Sequence, residues 1–191
     1  MPSTEALPAD AAHVTFAPVF EGLLRGYALR LTPRAVDRLA DAGIDVARPL
    51  SAGYPTSVWY AAVRILAEEQ HVGLPYPDAV REVGRSFMRG YFETALGRTV
   101  FAVLRLLGPL RSLQRMSRNF RTGNNFSETW VHADAPGDVR LEVNDALADA
   151  PTFIQGLIEV GLERVGTQDA SVEVLPPAPN GHGLYRVRWR C

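Results

Sequence analysis

The hydrophobic pattern divides the chain into two regions with different periods. Up to about residue 120, apolar side chains recur every three to four positions, which is the spacing of amphipathic helices. After residue 123 the period falls to two, and Val139, Leu141 and Val143 alternate with polar residues. This change predicts a helical region followed by a region of β-strands.

The helical region is predicted to contain five helices. Thr32 is a suitable N-cap, Pro33 suits the first helical position, and Gly43 marks a stop. Gly108-Pro109 must bend or split the last helix, because Pro cannot donate the helical hydrogen bond. The predicted elements are a short strand at 13–16, helices at 17–29, 31–44, 55–73, 75–97 and 98–120, and a loop at 45–55.

The second region is predicted to fold in the order β-β-α-β-β. A hairpin turns at Pro136-Gly137, and a helix with Asp149 as its N-cap separates it from a second hairpin. The four strands are expected to form one antiparallel sheet with the helices on one of its faces, which makes the fold class α+β. The predicted elements are strands at 125–134 and 137–145, a helix at 149–166 and a hairpin at 170–189.

The junction between the two regions reads Thr122-Gly123-Asn124-Asn125. Gly123 and Asn124 tolerate the left-handed backbone conformation that ends helices, and Asn side chains hold turns by bonding to nearby backbone. We therefore expect this stretch to end the last helix and begin the first strand. The predicted organisation is a disordered lead at 1–12 and one domain at 13–191, with a mainly helical half at 13–123 and a β-β-α-β-β half at 124–191.

Composition and charge exclude several kinds of chemistry. All 20 Lys or Arg positions hold Arg, so no lysine is present to form a Schiff base or serve a phosphate-binding loop. The single Cys is Cys191, which leaves no internal disulfide and no cysteine metal cluster. A net charge of −1 provides no general attraction to nucleic acid, and no nucleic-acid partner is expected. The sequence shows no signal peptide and no membrane-spanning apolar run, so we expect a cytoplasmic protein.

Several stretches resemble a family without an assigned activity. "FEGLLRGY", "GYFETALGR", "FRTGNNFSET" and "YRVRW" are similar to an uncharacterised paralogous family found mainly in myxobacteria, over about residues 16–189. The order of elements also resembles that of heme–nitric oxide sensor domains, 4-vinyl-reductase-type sensor domains and Bet3-like subunits of TRAPP tethering complexes. This resemblance implies a helical half and a four-stranded sheet that together cover an apolar pocket or channel.

No catalytic or metal-binding motif accompanies the predicted fold. The heme sensor domains carry a His on the helix before their sheet, whereas residues 75–123 contain none. Tyr91 or Met116 could replace it in principle, although both suit a place in the core. The four His residues fall in four different elements, without metal-ligand spacing. The chain has no GxSxG sequence and no Cys–His pair. We therefore expect no cofactor, no metal site and no enzyme activity.

Two functions remain as hypotheses. In the first, the protein is a non-catalytic, sensor-like module that binds a small hydrophobic ligand and couples its pocket to a protein partner. In the second, it is a homodimeric or heterodimeric interaction module that needs no ligand. The pocket of the first hypothesis would be lined by Trp59, Phe87, Tyr91, Phe101 and Leu104, although these side chains equally suit a filled core.

The region before the junction is rich in arginine. Residues 98–121 hold six Arg and no Asp or Glu. Arg111, Arg115 and Arg118 are three to four positions apart and share one helix face. Three interpretations stay open: a solvated surface, a contact for an acidic partner, or a contact for nucleic acid or anionic lipid. Arg118 and Arg121 could grip an anion beside the Asn side chains, or pair with Glu128 or Asp145. The candidate anion or partner contacts are Arg111, Arg115, Arg118, Arg121 and Asn124.

Overall fold

The chain folds into seven described helices and six described strands, in the α+β arrangement that the sequence predicts. The computed structural model describes residues 13–27, 30–144 and 150–190. The predicted lead at 1–12 and the predicted N-cap Asp149 lie outside these residues. The helices are α1 (Ala17–Tyr27), α2 (Pro33–Asp41), α3 (Thr56–Gln70), α4 (Tyr76–Glu93), α5 (Ala95–Gln114), α6 (Met116–Phe120) and α7 (Thr152–Arg164).

The strands form two separate antiparallel sheets. The larger sheet has the order β3-β4-β6-β5, and Leu141 of β4 pairs with Tyr185 of β6 near its centre. Its inner face is closed by apolar side chains such as Val139, Leu141 and Tyr185, each exposed by 1% or less. The strands are β1 (Val14–Phe16), β2 (Gly53–Pro55), β3 (Thr129–Ala135), β4 (Asp138–Val143), β5 (Ser171–Leu175) and β6 (Gly183–Arg188).

Helix ends and bends follow local sequence signals. The Thr32 hydroxyl accepts a hydrogen bond from the Ala35 amide at 3.2 Å, as expected of an N-cap. Gly43, two residues beyond α2, has a φ of 96°. Gly108 has a φ of 73° and breaks the course of α5 at the predicted position. The Ser112 hydroxyl lies 2.7 Å from the Gly108 carbonyl and 3.2 Å from the Leu104 carbonyl, which is among the last carbonyls of the segment before the bend.

Helix α4 lies at the centre of the helical layer, packed between α1 and α7. Its contacts are close because glycines meet backbone there: a Cβ on Gly84 would overlap the Phe153 carbonyl of α7, and one on Gly90 would overlap the Gly22 carbonyl of α1. A Cβ on Gly156 would likewise overlap the Arg81 carbonyl. We call the two interfaces, α1–α4 and α4–α7, the glycine seams. Their glycines are Gly22, Gly26, Gly84, Gly90 and Gly156.

A partly buried ion cluster reinforces the seam between α4 and α7. The Glu159 carboxylate, with its side chain 8% exposed, receives hydrogen bonds from Arg81 at 3.1 Å and from Arg85 at 2.8 Å. Each guanidinium lies on α4 and is itself about one-third exposed. The two arginines therefore satisfy the only charge that α7 buries among the described residues.

Two predicted boundaries and one predicted loop are wrong. The helix predicted at 75–97 ends at Glu93, because Thr94 caps the next helix by accepting from the Gly97 amide at 2.9 Å. The predicted loop at 45–55 contains β2, a three-residue strand that pairs with β1. The strand predicted from residue 125 begins only at Thr129.

The junction has a different geometry from the one expected. Neither Gly123 nor Asn124 has a positive φ, so the predicted left-handed conformation is wrong. Instead the junction lies against β1: the Phe16 amide donates to the Gly123 carbonyl at 2.7 Å, and Asn124 forms a β-bridge with Thr15. Glycine is required at position 123 because a Cβ would lie 2.5 Å from the Val19 side chain.

Candidate functional site

A cavity of about 150 Å³ lies between the central helix and the second half of the chain. Its walls come from β1, all the described helices except α2, and the junction at 122–127. All five residues predicted to line a pocket border this one cavity: Trp59, Phe87, Tyr91, Phe101 and Leu104. The structure thus brings the predicted set together, and its binding of a ligand stays a prediction.

Aromatic rings hold one wall of the cavity in place. The ring of Trp59 meets that of Phe87 edge-on at 5.6 Å and that of Phe153 edge-on at 5.5 Å. The rings of Phe87 and Tyr91 stack at 5.9 Å. Such edge-to-face and offset contacts are favourable geometries for aromatic pairs. Each ring of this wall therefore packs against at least one other ring as well as bordering the cavity.

The opposite wall is formed by residues that sequence reasoning did not select. Ile154, Leu157, Ile158 and Gly161 of α7 lie three to four positions apart and border the cavity together. Within the helix predicted at 149–166, Phe153, Leu157 and Val160 recur at helical spacing, and this apolar face is the signal that could have found them. What the sequence did not reveal is that this face meets α4 and α5 across an open space.

The cavity lining carries no formal charge. None of the described residues bordering it is Arg, Asp, Glu or His. Its one titratable side chain is Tyr91, whose pKa is raised by burial, so its phenol stays protonated at neutral pH. The interior therefore suits an uncharged apolar group.

Polar side chains gather at the junction end of the cavity. The Asn124 carboxamide accepts hydrogen bonds from the Phe126 amide at 3.1 Å and the Ser127 amide at 2.7 Å, and donates to the Ser127 hydroxyl at 2.8 Å. It holds the turn, as Asn side chains were expected to do here, and its predicted contact with an anion stays a prediction. Asn119 borders the cavity half-buried, and its carboxamide makes no hydrogen bond within the described part of the chain.

The predicted arginine contacts do not form one site. Arg121 pairs with Glu128 at 2.7 Å, which confirms the alternative that joins helix to sheet; the other suggested partner, Asp145, lies outside the described residues. Arg111, Arg115 and Arg118 are exposed, and none of the ion pairs formed by described residues includes them. These three remain candidates for contact with a partner.

The residues that border the cavity do not fit a heme. Protein heme ligands are His, Cys, Met or Tyr, and the described lining offers only Met88, Met116 and Tyr91. Tyr91 is held as the neutral phenol, whereas iron binds the phenolate. A volume of about 150 Å³ is also small for a macrocycle, since drug-sized ligands occupy about 300–1,000 Å³. Within the described residues no group of three His, Cys, Asp or Glu side chains is placed to hold a metal ion.

The fold is that of the H-NOX proteins. A Tt H-NOX variant aligns over 93% of this chain and 95% of its own, with 15% identity and a TM-score of 0.70. The H-NOX protein from S. oneidensis, solved in the Fe(II)NO ligation state, aligns over 92% and 99% with 10% identity and a TM-score of 0.67. That from K. algicida, solved as the unliganded Fe(II) protein, aligns over 91% and 95% with 12% identity and a TM-score of 0.65.

The chain belongs to the family described as protein of unknown function (DUF2378), whose model matches residues 13–190. A comparison with curated proteins finds no match. Similarity at 10–15% identity establishes a shared fold, so the ligand of this chain has to be argued from its own residues. In the described part of the chain, no helix has the length and apolar character needed to cross a membrane.

Proposed function

We propose that this protein is a non-catalytic binding module that takes a small apolar ligand in the cavity and signals its occupation to a protein partner. The observation that carries the proposal is the cavity itself: about 150 Å³ of space that reaches into the core and opens partly to the surface, bordered mainly by aromatic and aliphatic side chains and by no described residue with a formal charge. Well-packed protein interiors leave few voids larger than a water molecule.

The size and lining of the cavity define the ligand's buried part. An engineered protein cavity of about 150 Å³ with a similar apolar lining stays dry and binds benzene. The ligand, or the part of it that enters, should therefore be uncharged and about as large as one benzene ring. Asn119 and Tyr91 at the edge of the cavity supply a polar contact that would orient it.

Helix α5 is suited to transmit ligand occupation to the surface. Phe101 and Leu104 border the cavity, while Val103 and Leu106 on the same helix are 46% and 87% exposed. A ligand that displaces the inner side chains would move the outer ones with them, because both sets belong to one rigid helical segment. The bend at Gly108 allows this segment to move without the rest of α5.

Native mass spectrometry of the gently purified protein, compared with its denatured mass, tests the proposal. We expect a bound small molecule that is lost on denaturation. If it is lost during purification, benzene serves as a probe and should raise the melting temperature, because a ligand of the native state stabilises it.

The variant Gly161→Leu provides the matching control. Gly161 borders the cavity, and a Cβ there would meet no atom within 4 Å, so a leucine can extend into the open space. This variant should fold normally and lose the benzene effect, whereas Gly161→Ala, which is too small to fill the cavity, should keep it. The proposal fails if neither a co-purified molecule nor a benzene effect is found in the wild type.

A second candidate function is protein interaction without a ligand. It is favoured by the exposed Leu106 and by the arginines at 111, 115 and 118, which have no ion-pair partner among the described residues. A pull-down repeated with all three arginines changed to Glu would test it. A partner that is lost in this triple variant, from a protein that binds neither benzene nor a co-purified molecule, would favour the second function over the first.

A further inference from the structure

A cleft of about 140 Å³ adjoins the apolar cavity on the other side of Phe101. It is formed where α4, α5 and α7 meet, and Phe101 is the one described residue that borders both spaces. We call it the arginine cleft, because three of its six bordering residues are arginines. The six are Phe92, Arg98, Phe101, Ala102, Arg105 and Arg164.

The three arginines that border the cleft come from two helices. Arg98 and Arg105 are seven residues apart on α5, so they lie on nearly the same helix face about 10 Å apart along its axis. Arg164 comes from the last turn of α7, and its guanidinium stands 5.4 Å from the centre of the Phe92 ring. Arg98 donates to the Glu93 carbonyl at 2.6 Å. These contacts orient two of the three guanidinium groups. All three arginines are exposed, so water solvates charges that no carboxylate of the described residues pairs with.

No carboxylate of the described residues neutralises the cleft. The ion pairs formed by described residues include none of its three arginines. Glu163, the neighbour of Arg164 in sequence, and Glu93, the neighbour of Phe92, are exposed and do not border the cleft. Arginine forks bind carboxylates and phosphates through paired hydrogen bonds, so an anionic group of a ligand is the counter-charge that fits here.

The apolar cavity and the arginine cleft are complementary. The cavity has no charged side chain in its described lining, and an ionised group would pay a large desolvation cost there. The arginine cleft carries positive charge and shares the Phe101 side chain with the cavity as a common border. Phe101 packs edge-on against Phe92 at 4.2 Å and would have to turn aside for one molecule to occupy both spaces.

We infer that the ligand is a small amphiphile with an anionic head group. Its carboxylate or phosphate would be held by Arg98, Arg105 and Arg164, and its apolar part would pass Phe101 into the cavity. This inference rests on the proposed function for the apolar part and adds the chemical class of the head group. The positive charge of the cleft would then favour apolar molecules that carry an anionic head group over uncharged ones.

Isothermal titration calorimetry on the full chain tests the head group. The probes are octanoate, octyl phosphate and the uncharged 1-octanol, all at concentrations below micelle formation. We expect octanoate or octyl phosphate to bind at least about tenfold more tightly than 1-octanol, as for hydrogen bonds to a charged group. Which of the two anions binds better distinguishes a carboxylate ligand from a phosphate ligand.

The double variant Arg105→Gln with Arg164→Gln should remove this preference. Affinity for the anionic probe should fall about tenfold or more, while affinity for 1-octanol should stay the same. The matched control is Arg34→Gln with Arg48→Gln, which changes the net charge equally at two exposed residues that border neither space. Gly161→Leu should weaken all three probes, because it obstructs the cavity.

Three results would overturn the inference. If 1-octanol binds as tightly as both anions, the head group is not recognised, although the proposed function survives. If the control pair weakens the anions as much as the cleft pair does, the attraction is a general effect of charge. If none of the three probes binds, the proposed apolar site fails along with the head-group assignment.

Discussion

Helix α4 makes two kinds of contact that differ in packing density. At the glycine seams its backbone touches α1 and α7 so closely that a single methyl group would overlap a carbonyl. Next to the side chains of Phe87 and Tyr91, by contrast, α4, α5 and α7 leave about 150 Å³ of space between them. Both kinds of contact involve α7: its Gly156 lies in a seam, and its Gly161 borders the cavity.

The difference shows how a small domain can carry a cavity and remain rigid. Tight contact at the seams fixes the relative positions of α1, α4 and α7, so the space beside them does not collapse. The wall formed by α5 lacks such contacts along its outer face, where Val103 and Leu106 are exposed. We therefore expect ligands to act on α5 and to leave the seams unchanged.

The largest difference should come from a glycine-to-leucine substitution made once at a glycine seam and once at the cavity. Gly156→Leu must push α7 away from the Arg81 carbonyl, and we expect the free energy of unfolding to fall by about 3 kcal/mol or more. Gly161→Leu should raise it by up to about 1 kcal/mol, because leucine favours helix and finds open space. Urea unfolding monitored by circular dichroism measures both. Equal losses in the two variants would mean that the cavity does not exist.

The ion cluster at the α4–α7 seam should contribute less than the backbone contact. Glu159→Gln leaves Arg81 and Arg85 without their carboxylate, and we expect a loss of about 2 kcal/mol, since both guanidinium groups keep access to water. Glu128→Gln, which removes the exposed partner of Arg121, should cost less than about 1 kcal/mol. Urea unfolding again provides the measurement, and similar losses for the two variants would contradict a structural role for Glu159.

The smallest expected effect is a pH dependence of the free energy of unfolding that comes from His71, which contacts α1, and not from the cavity. The Tyr27 hydroxyl lies 2.8 Å from His71 Nε2 at the far end of α1, and burial lowers the pKa of His71 below its usual value of about 6.5. The unfolded chain then binds more protons than the folded one just below pH 6.5, so the free energy of unfolding should fall as the pH falls through that range.

The His71→Gln variant should show a weaker pH dependence between pH 7 and 5 than the wild type in urea unfolding. Benzene binding to the wild type should not change over the same range, because Tyr91 is the only titratable group of the described cavity lining and its pKa is raised. Two results together would contradict this prediction: an affinity for benzene that changes with pH, and a free energy of unfolding that does not.

Local signals explain most of what the sequence predicted correctly. Alternation placed the strands of the larger sheet, and Thr32, Gly43 and Gly108-Pro109 placed caps and a bend, because these effects depend on neighbouring residues alone. The five predicted pocket residues share one cavity for a similar reason. Each lies on the apolar face of its own helix, and apolar faces turn towards a common interior.

The features that the sequence did not reveal depend on contacts between distant residues. Strand β2 has only three residues and ends in Pro55, and it forms because β1 supplies its partner. Gly123 is needed for its approach to Val19, about a hundred residues away, and not for a left-handed backbone. Arg164 and Arg98 border the same cleft only because α7 packs beside α5, whereas sequence reasoning could group only arginines of one helix, at 111–118.

Trp59 gives the cavity an intrinsic fluorescent reporter. It is 7% exposed and borders the cavity, whereas Trp130 stacks on His182 across the outer face of the sheet and Trp189 lies at the end of the chain. Replacing these other two tryptophans with Phe would leave Trp59 as the single tryptophan of the chain. Its emission wavelength would then report the polarity inside the cavity, and its access to dissolved quenchers would report how often the α5 wall opens.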